Sequence, residues 1–103
     1  MKYELVLQFR GGSLADYDAM VALERELVNE LGDSGSVDGH DIGRRETNVF
    51  IRTSDPAWVF RNTRNIFESR GMLNSLTAAF RHVNGGNYTR VWPEGSKAVF
   101  RVK

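Results

Sequence analysis

Cysteine is absent from this chain of 103 residues, and only two prolines are present. Without a thiol the chain can form no disulfide, thiolate metal site or iron–sulfur cluster. Long apolar runs are lacking as well, since no run approaches the roughly 18 residues that a membrane span requires. The first residues alternate in polarity and do not form the apolar segment of a secretory signal. We therefore expect a cytoplasmic protein without a membrane partner.

An excess of one charge sign is also lacking, because 14 basic and 13 acidic residues leave a net charge of +1. This balance argues against a dedicated nucleic-acid-binding protein. The charges are unevenly distributed, however: residues 1–42 carry three basic and nine acidic groups, whereas residues 43–103 carry eleven and four. Either the two halves neutralise each other within the fold or a dimer, or the basic half forms an anion-binding face.

The composition is that of one globular domain spanning residues 1–103, with 41 % hydrophobic and 26 % charged residues. Residues 2–10 alternate apolar and polar side chains with the period of two that is typical of a strand. Ser13 and Asp16 have the spacing of a helix N-terminal capping box. Apolar residues then recur at helical spacing until Gly32, which is predicted to end the helix.

The remaining segments predict further strands and a second helix. Residues 33–46 are rich in glycine and predict a turn-forming segment with a weak strand around Val37, and residues 47–53 predict a central strand. Asp55 and Pro56 are predicted to open a second helix that Gly71 closes. Residues 76–83 and 88–92 predict two strands, which a hairpin turn at residues 84–86 joins. Residues 98–102 predict a short final strand. The predicted class is α+β: a ferredoxin-like βαββαβ sandwich, with an antiparallel sheet, two helices on one face and an extra C-terminal hairpin strand.

The sheet face away from the helices is the predicted interaction surface. We expect it to carry Phe50, Tyr88, Arg90 and Trp92, and aromatic and arginine side chains on an open sheet favour coverage by a partner. The leading hypothesis is therefore a non-enzymatic binding or interaction module that uses this face to form a homodimer or to bind another protein. Phe50 could also stack on a base, but residues 44–51 lack the Gly-aromatic-Gly-aromatic signature of an RNA-recognition domain, so a nucleic-acid partner is not expected.

His40, Asp41 and Glu46 are the candidate catalytic residues. They place an imidazole and carboxylates close together in the sequence, and such groups can act as general acid and base. Turn formation and structural hydrogen bonding are the alternative interpretation, because aspartate is also a residue that turns favour. No recognised metal-ligand spacing is present, so we expect no metal.

Arg10, Gly11, Gly12 and Ser13 are the candidate anion ligands. They lie where the first strand leads into the first helix, and glycine amides together with a guanidinium can hold a phosphate or carboxylate there. Arg52 is a further candidate. The segment lacks the spacing of a P-loop or a dinucleotide fingerprint, so it is equally a plain turn, and we expect no cofactor.

These two groups of residues support an alternative function. The chain could be a small cofactor-independent enzyme, or an anion-binding protein, that resembles the dimeric α+β-barrel proteins. His40 and Asp41 would then act as the acid–base pair, and Arg10 would hold the anion.

Residues 37–56 (VDGHDIGRRETNVFIRTSDP), together with residues 88–94 (YTRVWPE), resemble a group of small uncharacterised bacterial proteins. The resemblance implies a bacterial, cytoplasmic protein with a ferredoxin-like fold. It brings no activity with it, so no catalytic residue follows from it.

Overall fold

The computed structural model describes residues 1–11, 17–43, 45–95 and 99–102. Within these residues, five strands form one antiparallel sheet in the order β2-β3-β1-β4-β5, and two helices pack on one of its faces. In chain order the elements are β1 (Tyr3–Arg10), α1 (Tyr17–Leu31), β2 (Gly35–Ile42), β3 (Glu46–Thr53), α2 (Pro56–Ser69), β4 (Leu76–His82) and β5 (Gly85–Trp92). The α+β class is confirmed, and the arrangement is broadly ferredoxin-like.

Local signals define both ends of α2. The Oδ1 atom of Asp55 accepts a hydrogen bond from the backbone N–H of Trp58 at 3.1 Å, and Pro56 occupies the first helical turn. Gly71 follows the helix with a φ of +68°, a conformation that glycine adopts without steric cost. This helix begins and ends where the sequence predicted.

The end of α1 also agrees with its prediction, since Gly32 follows the helix with a φ of +52°. The predicted cap residues Ser13 and Asp16, and the candidate anion ligand Gly12, lie outside the described residues. Neither described helix is long and apolar enough to cross a lipid bilayer.

The core lies between the sheet and the two helices. Alternate residues of β1 and β3 face the helices, which add an aliphatic stripe from α1 and two phenylalanines from α2. Burial of each large apolar side chain stabilises the fold by about 1.5–3 kcal/mol. The buried members are Leu5, Leu7, Phe9, Met20, Leu23, Leu27, Leu31, Val49, Ile51, Val59, Phe60, Phe67, Met72, Leu76 and Ala78.

The predicted strand around Val37 is confirmed and extends over Gly35–Ile42, so the turn expected around residues 38–41 is wrong. Strand β3, which is an internal strand as predicted, pairs with β2 along its length. The register shifts between Val37 and Gly39, where Gly39 has a φ of +140°. A β-bulge thus accommodates a glycine-rich sequence within a strand, and pairing with β3 overrides the local turn preference.

The last part of the chain departs from its prediction in two places. The β4–β5 turn consists of Val83 and Asn84, whereas Gly85 and Gly86, which were expected in the turn, already belong to β5. Residues 99–102 belong to no strand, so the predicted final strand is wrong there. Ala98 lies outside the described residues.

Candidate functional site

The sheet face away from the helices is partly covered by the chain itself. Phe100, from the C-terminal segment (residues 99–102), forms a cluster with Val6 and Ala79, and all three side chains are buried. The ring of Phe100 meets the ring of Tyr88 edge-on, with their centroids 4.9 Å apart. Part of the surface that the sequence presents as open is therefore an intramolecular contact.

Three of the predicted interface residues lie on this covered face. Phe50 and Tyr88 are half-buried and pack against the cluster around Val6, and Arg90 pairs with Ala79 in the β4–β5 register. All three are thus close to the C-terminal segment.

The predicted position of Trp92 on this face is wrong. Its ring stacks on Phe60 of α2, with the centroids 5.9 Å apart, which places it on the helix side of the sheet. The cause is a register shift: Ala78 pairs with Trp92, whereas the next residue, Ala79, pairs with Arg90. One extra residue on β5 reverses the alternation, so Trp92 follows Ala78 into the helix-side core.

Tyr88 is partly desolvated at this contact. Burial raises the pKa of its hydroxyl above the ordinary value. The positive charge of Arg81, whose guanidinium carbon lies 4.6 Å from the centroid of the Tyr88 ring, lowers this pKa, and the negative charge of Glu4 raises it. Desolvation is the larger effect, so the neutral phenol is favoured.

A hydrogen-bonded network of polar side chains occupies the middle of the same face. The Nε2 atom of Gln8 donates to Glu46 Oε2 and Asn48 Oδ1, both at 3.1 Å, and to the main-chain carbonyl of Arg101 at 2.7 Å. Asn48 Nδ2 also donates to Glu46 Oε2 at 3.0 Å. Gln8 is 9 % exposed and Asn48 is 1 % exposed, and buried amides are costly unless they are hydrogen-bonded. The network links β1 to β3 and fixes the C-terminal segment to the sheet.

A groove of about 230 Å³ lies beside this network, between the sheet and the C-terminal segment. Strand β1 contributes Gln8 and Arg10, β4 contributes Thr77 and β5 contributes Arg90. Two guanidinium groups and a hydroxyl form a donor set that suits a carboxylate or phosphate, whereas the N–H groups of the Gln8 amide are already engaged in the network. The groove is lined by Gln8, Arg10, Thr77, Arg90, Pro93, Val99 and Phe100.

Sequence reasoning missed Asn48 and Thr77 as members of this site. A signal for them was available, since both are polar residues that pair directly with Gln8 across the sheet. Polar residues at facing positions of three neighbouring strands indicate a polar patch on an otherwise apolar surface.

Arg10 is held at the end of β1, where its Nη2 donates to the main-chain carbonyl of Asn74 at 3.2 Å. The neighbouring candidate ligand, Gly11, donates its backbone N–H to the carbonyl of Arg45 at 2.8 Å. That amide is therefore engaged within the chain. Arg10, and not Gly11, is among the residues that line the groove.

Arg52 lies on the same face but far from Arg10. It pairs with Glu4, which is six residues from Arg10 along β1, or about 20 Å at the usual strand rise. Its Nε atom lies 3.6 Å from Asp38 Oδ2 in an exposed ion pair. The structure does not bring the two candidate arginines into one site.

His40 and Asp41 are consecutive residues of β2 and therefore point to opposite faces of the sheet. His40 pairs with Val49 on the helix side, and its Nδ1 lies 2.9 Å from Glu24 Oε1 of α1. Asp41 pairs with Asn48, on the face that carries the polar network. The structure does not bring the two together as an acid–base pair. Sequence reasoning missed Glu24, because no local pattern links positions on a helix and a strand.

No family model, curated protein or solved structure matches this chain. Across the described ranges, no group of three or more histidine, aspartate or glutamate side chains could hold a metal ion. The fold and the site together define a small α+β protein with a basic groove on one sheet face.

Proposed function

We propose that the protein is a small non-enzymatic binding module whose ligand is a small anion bearing a carboxylate or phosphate group. The observation that carries this proposal is the groove that Arg10, Arg90 and Thr77 line. Guanidinium groups donate paired, charge-assisted hydrogen bonds to such anions, and the Thr77 hydroxyl can donate a further one. These side chains recognise an anion without reacting with it, so the proposed activity is binding.

The size and charge of the groove restrict the ligand. Its volume of about 230 Å³ is below the range of roughly 300–1,000 Å³ that is typical of sites for drug-sized molecules. Glu46 places one carboxylate beside the groove, where it accepts from Gln8. Arg10 and Arg90 bring two positive charges to the groove against the one negative charge of Glu46. Inorganic phosphate or a short-chain dicarboxylate fits both restrictions.

Titration with phosphate, and separately with succinate, tests the proposal at low ionic strength, with amide NMR shifts and melting temperature as readouts. Ligand at 100 times its dissociation constant adds about 2.7 kcal/mol, or about 10 °C or more for a domain of this size. Arg10→Gln and Arg90→Gln should each weaken binding about tenfold or more, because a charge-assisted hydrogen bond contributes about 1.5–3 kcal/mol. Arg61→Gln, on the exposed surface of α2, is the matched control. Equal losses in all three variants, or no binding by the wild type, would overturn the proposal.

Homodimerisation through the sheet face away from the helices is a second candidate function, and a row of charges on this face favours it. Asp38, Arg52, Glu4 and Arg81 succeed one another across β2, β3, β1 and β4, so the signs alternate. A second copy, rotated by a half-turn about an axis along the strands, would place each charge opposite one of the other sign. Half-buried Phe50 adds apolar surface beside this row.

Sedimentation at two protein concentrations tests the dimer. Arg52→Glu should dissociate it, because the new carboxylate would face Glu4 of the second copy. The double variant Arg52→Glu/Glu4→Arg restores opposite charges and should restore the dimer. A wild-type monomer at high micromolar concentration would contradict this candidate.

A further inference from the structure

A second surface lies at the edge of the sheet formed by β2. In the described part of the chain, β2 is an edge strand, so no strand pairs with its outer backbone groups. Outward N–H and C=O groups of an edge strand are a template for an additional strand. Helix α1 packs along β2 and leaves a groove of about 470 Å³ beside this edge. The groove is lined by Val21, Glu24, Arg25, Val28, Asn29 and Val37.

Exposed apolar side chains are concentrated along this edge. Among the described residues, five large hydrophobic side chains are exposed, and three of them, Met1, Val28 and Ile42, lie on or beside β2. Val28 is 55 % exposed and lines both this groove and an adjoining one of about 360 Å³, which Met1 and Val37 also line. Met1, Val28 and Val37 thus form one apolar patch beside β2, and exposed apolar patches mark interaction surfaces.

The same edge is acidic. Strand β2 and the two grooves beside it carry the carboxylates of Glu24, Asp33, Asp38 and Asp41 and one arginine, Arg25. Two of these carboxylates are paired within the chain: Glu24 Oε1 lies 2.9 Å from His40 Nδ1, and Asp38 Oδ2 lies 3.6 Å from Arg52 Nε. Carboxylates outnumber guanidinium groups here, four to two, when Arg52 is counted. Two copies of the chain that met edge to edge would juxtapose like charges, so the complementary occupant is basic.

We propose that this edge binds an extended, basic segment of a partner protein. The segment pairs with β2 as an additional strand, places alternate apolar side chains in the groove between β2 and α1, and directs lysine or arginine side chains to the surrounding carboxylates. The bulge between Val37 and Gly39 interrupts regular pairing, which disfavours arbitrary strands at this edge. This surface shares no lining residue with the anion groove, so each proposal is tested independently of the other.

The test uses a fluorescein-labelled peptide, Lys-Val-Lys-Val-Arg-Val-Lys, and a control peptide in which glutamate replaces every basic residue. Fluorescence anisotropy should show binding of the basic peptide, weakened by added salt, and no binding of the glutamate peptide. Hydrogen exchange of the complex should show new protection in the amides of β2 and none in those of β5. Binding of both peptides alike, or protection at β5 instead of β2, would overturn the proposal.

Two variants locate the binding to this edge. Val28→Asn removes apolar contact and Asp33→Lys reverses a charge beside the groove; both side chains are exposed, so the fold is retained, which a melting curve verifies. Each should reduce affinity for the basic peptide about tenfold. Trp58→Gln, which removes an exposed apolar side chain from α2, should leave it unchanged. Unchanged affinity in both edge variants, or wild-type self-association that Val28→Asn abolishes, would overturn the proposal.

Discussion

The Phe100→Ala substitution is predicted to release the C-terminal segment from the sheet. Phe100 is 9 % exposed, closes over Val6 and Ala79, and meets the Tyr88 ring at 4.9 Å. Burial of a phenylalanine side chain stabilises by about 1.5–3 kcal/mol, and an aromatic pair adds about 0.5–1.5 kcal/mol. The expected loss is therefore about 2–4.5 kcal/mol. This range begins below that of about 3–5 kcal/mol for closed cores, because residues 99–102 belong to no strand and can detach without leaving a cavity.

Urea unfolding followed by tryptophan fluorescence measures this loss in the free energy of unfolding. Val99→Ala is the control, since the Val99 side chain is 75 % exposed and its truncation should change stability by less than about 0.5 kcal/mol. Phosphate affinity should fall in Phe100→Ala as well, because Phe100 is one wall of the groove. A loss of less than about 1 kcal/mol would refute the packing of this segment against Val6 and Ala79.

Three further predictions concern single side chains. Burial raises the pKa of Tyr88, so the stability that this group contributes is present below about pH 10 and is lost as the pH rises through the folded-state pKa. The wild type should show one tyrosinate absorbance step above about pH 10 that Tyr88→Phe lacks. An unchanged absorbance titration in Tyr88→Phe would contradict this prediction. Asp55→Ala removes the cap of α2 and should lower the free energy of unfolding in urea by about 1 kcal/mol. An equal loss in the control Ser54→Ala would argue against the cap. Gln8→Leu deprives Asn48 of its buried donor, so it should cost about 1–3 kcal/mol and weaken phosphate binding; an unchanged urea midpoint would refute the role of the network.

The sequence alone predicts those elements whose signals act over a few residues. Asp55, Pro56 and Gly71 mark α2 because a cap, a fixed φ and a left-handed residue are local properties. Strand β2 was predicted only as a weak strand around Val37, because its glycine and aspartate residues favour turns in isolation. It becomes a strand only because β3 offers a partner and the bulge at residues 37–39 absorbs the irregularity.

The candidate site was less predictable, because its parts meet only through the tertiary fold. Arg10, Glu46 and Arg90 were each identified from the sequence, but as members of three different hypotheses: an anion site, a catalytic cluster and an interface. The structure places all three on one sheet face. Gln8 and Arg101 are 93 residues apart in sequence, and no periodic pattern indicates that the chain end returns to β1. The reversal of Trp92 depends on a single extra residue in β5, which a period of two cannot show.

The polar network gives the anion groove a stronger case than the homodimer. Replacing both partners of a buried hydrogen bond by apolar groups is often neutral or stabilising. The fold would therefore be at least as stable with apolar side chains in place of Gln8 and Asn48, if this sheet face only packed against the C-terminal segment. The amides instead fix the carboxylate of Glu46 and the main chain of Arg101 beside the groove. The network thereby holds one wall of the groove in place, and a binding site is most precise where hydrogen bonds support the residues around it. Stacking of two sheet faces in a dimer needs shape and apolar area, and gains nothing from a buried amide network at this position.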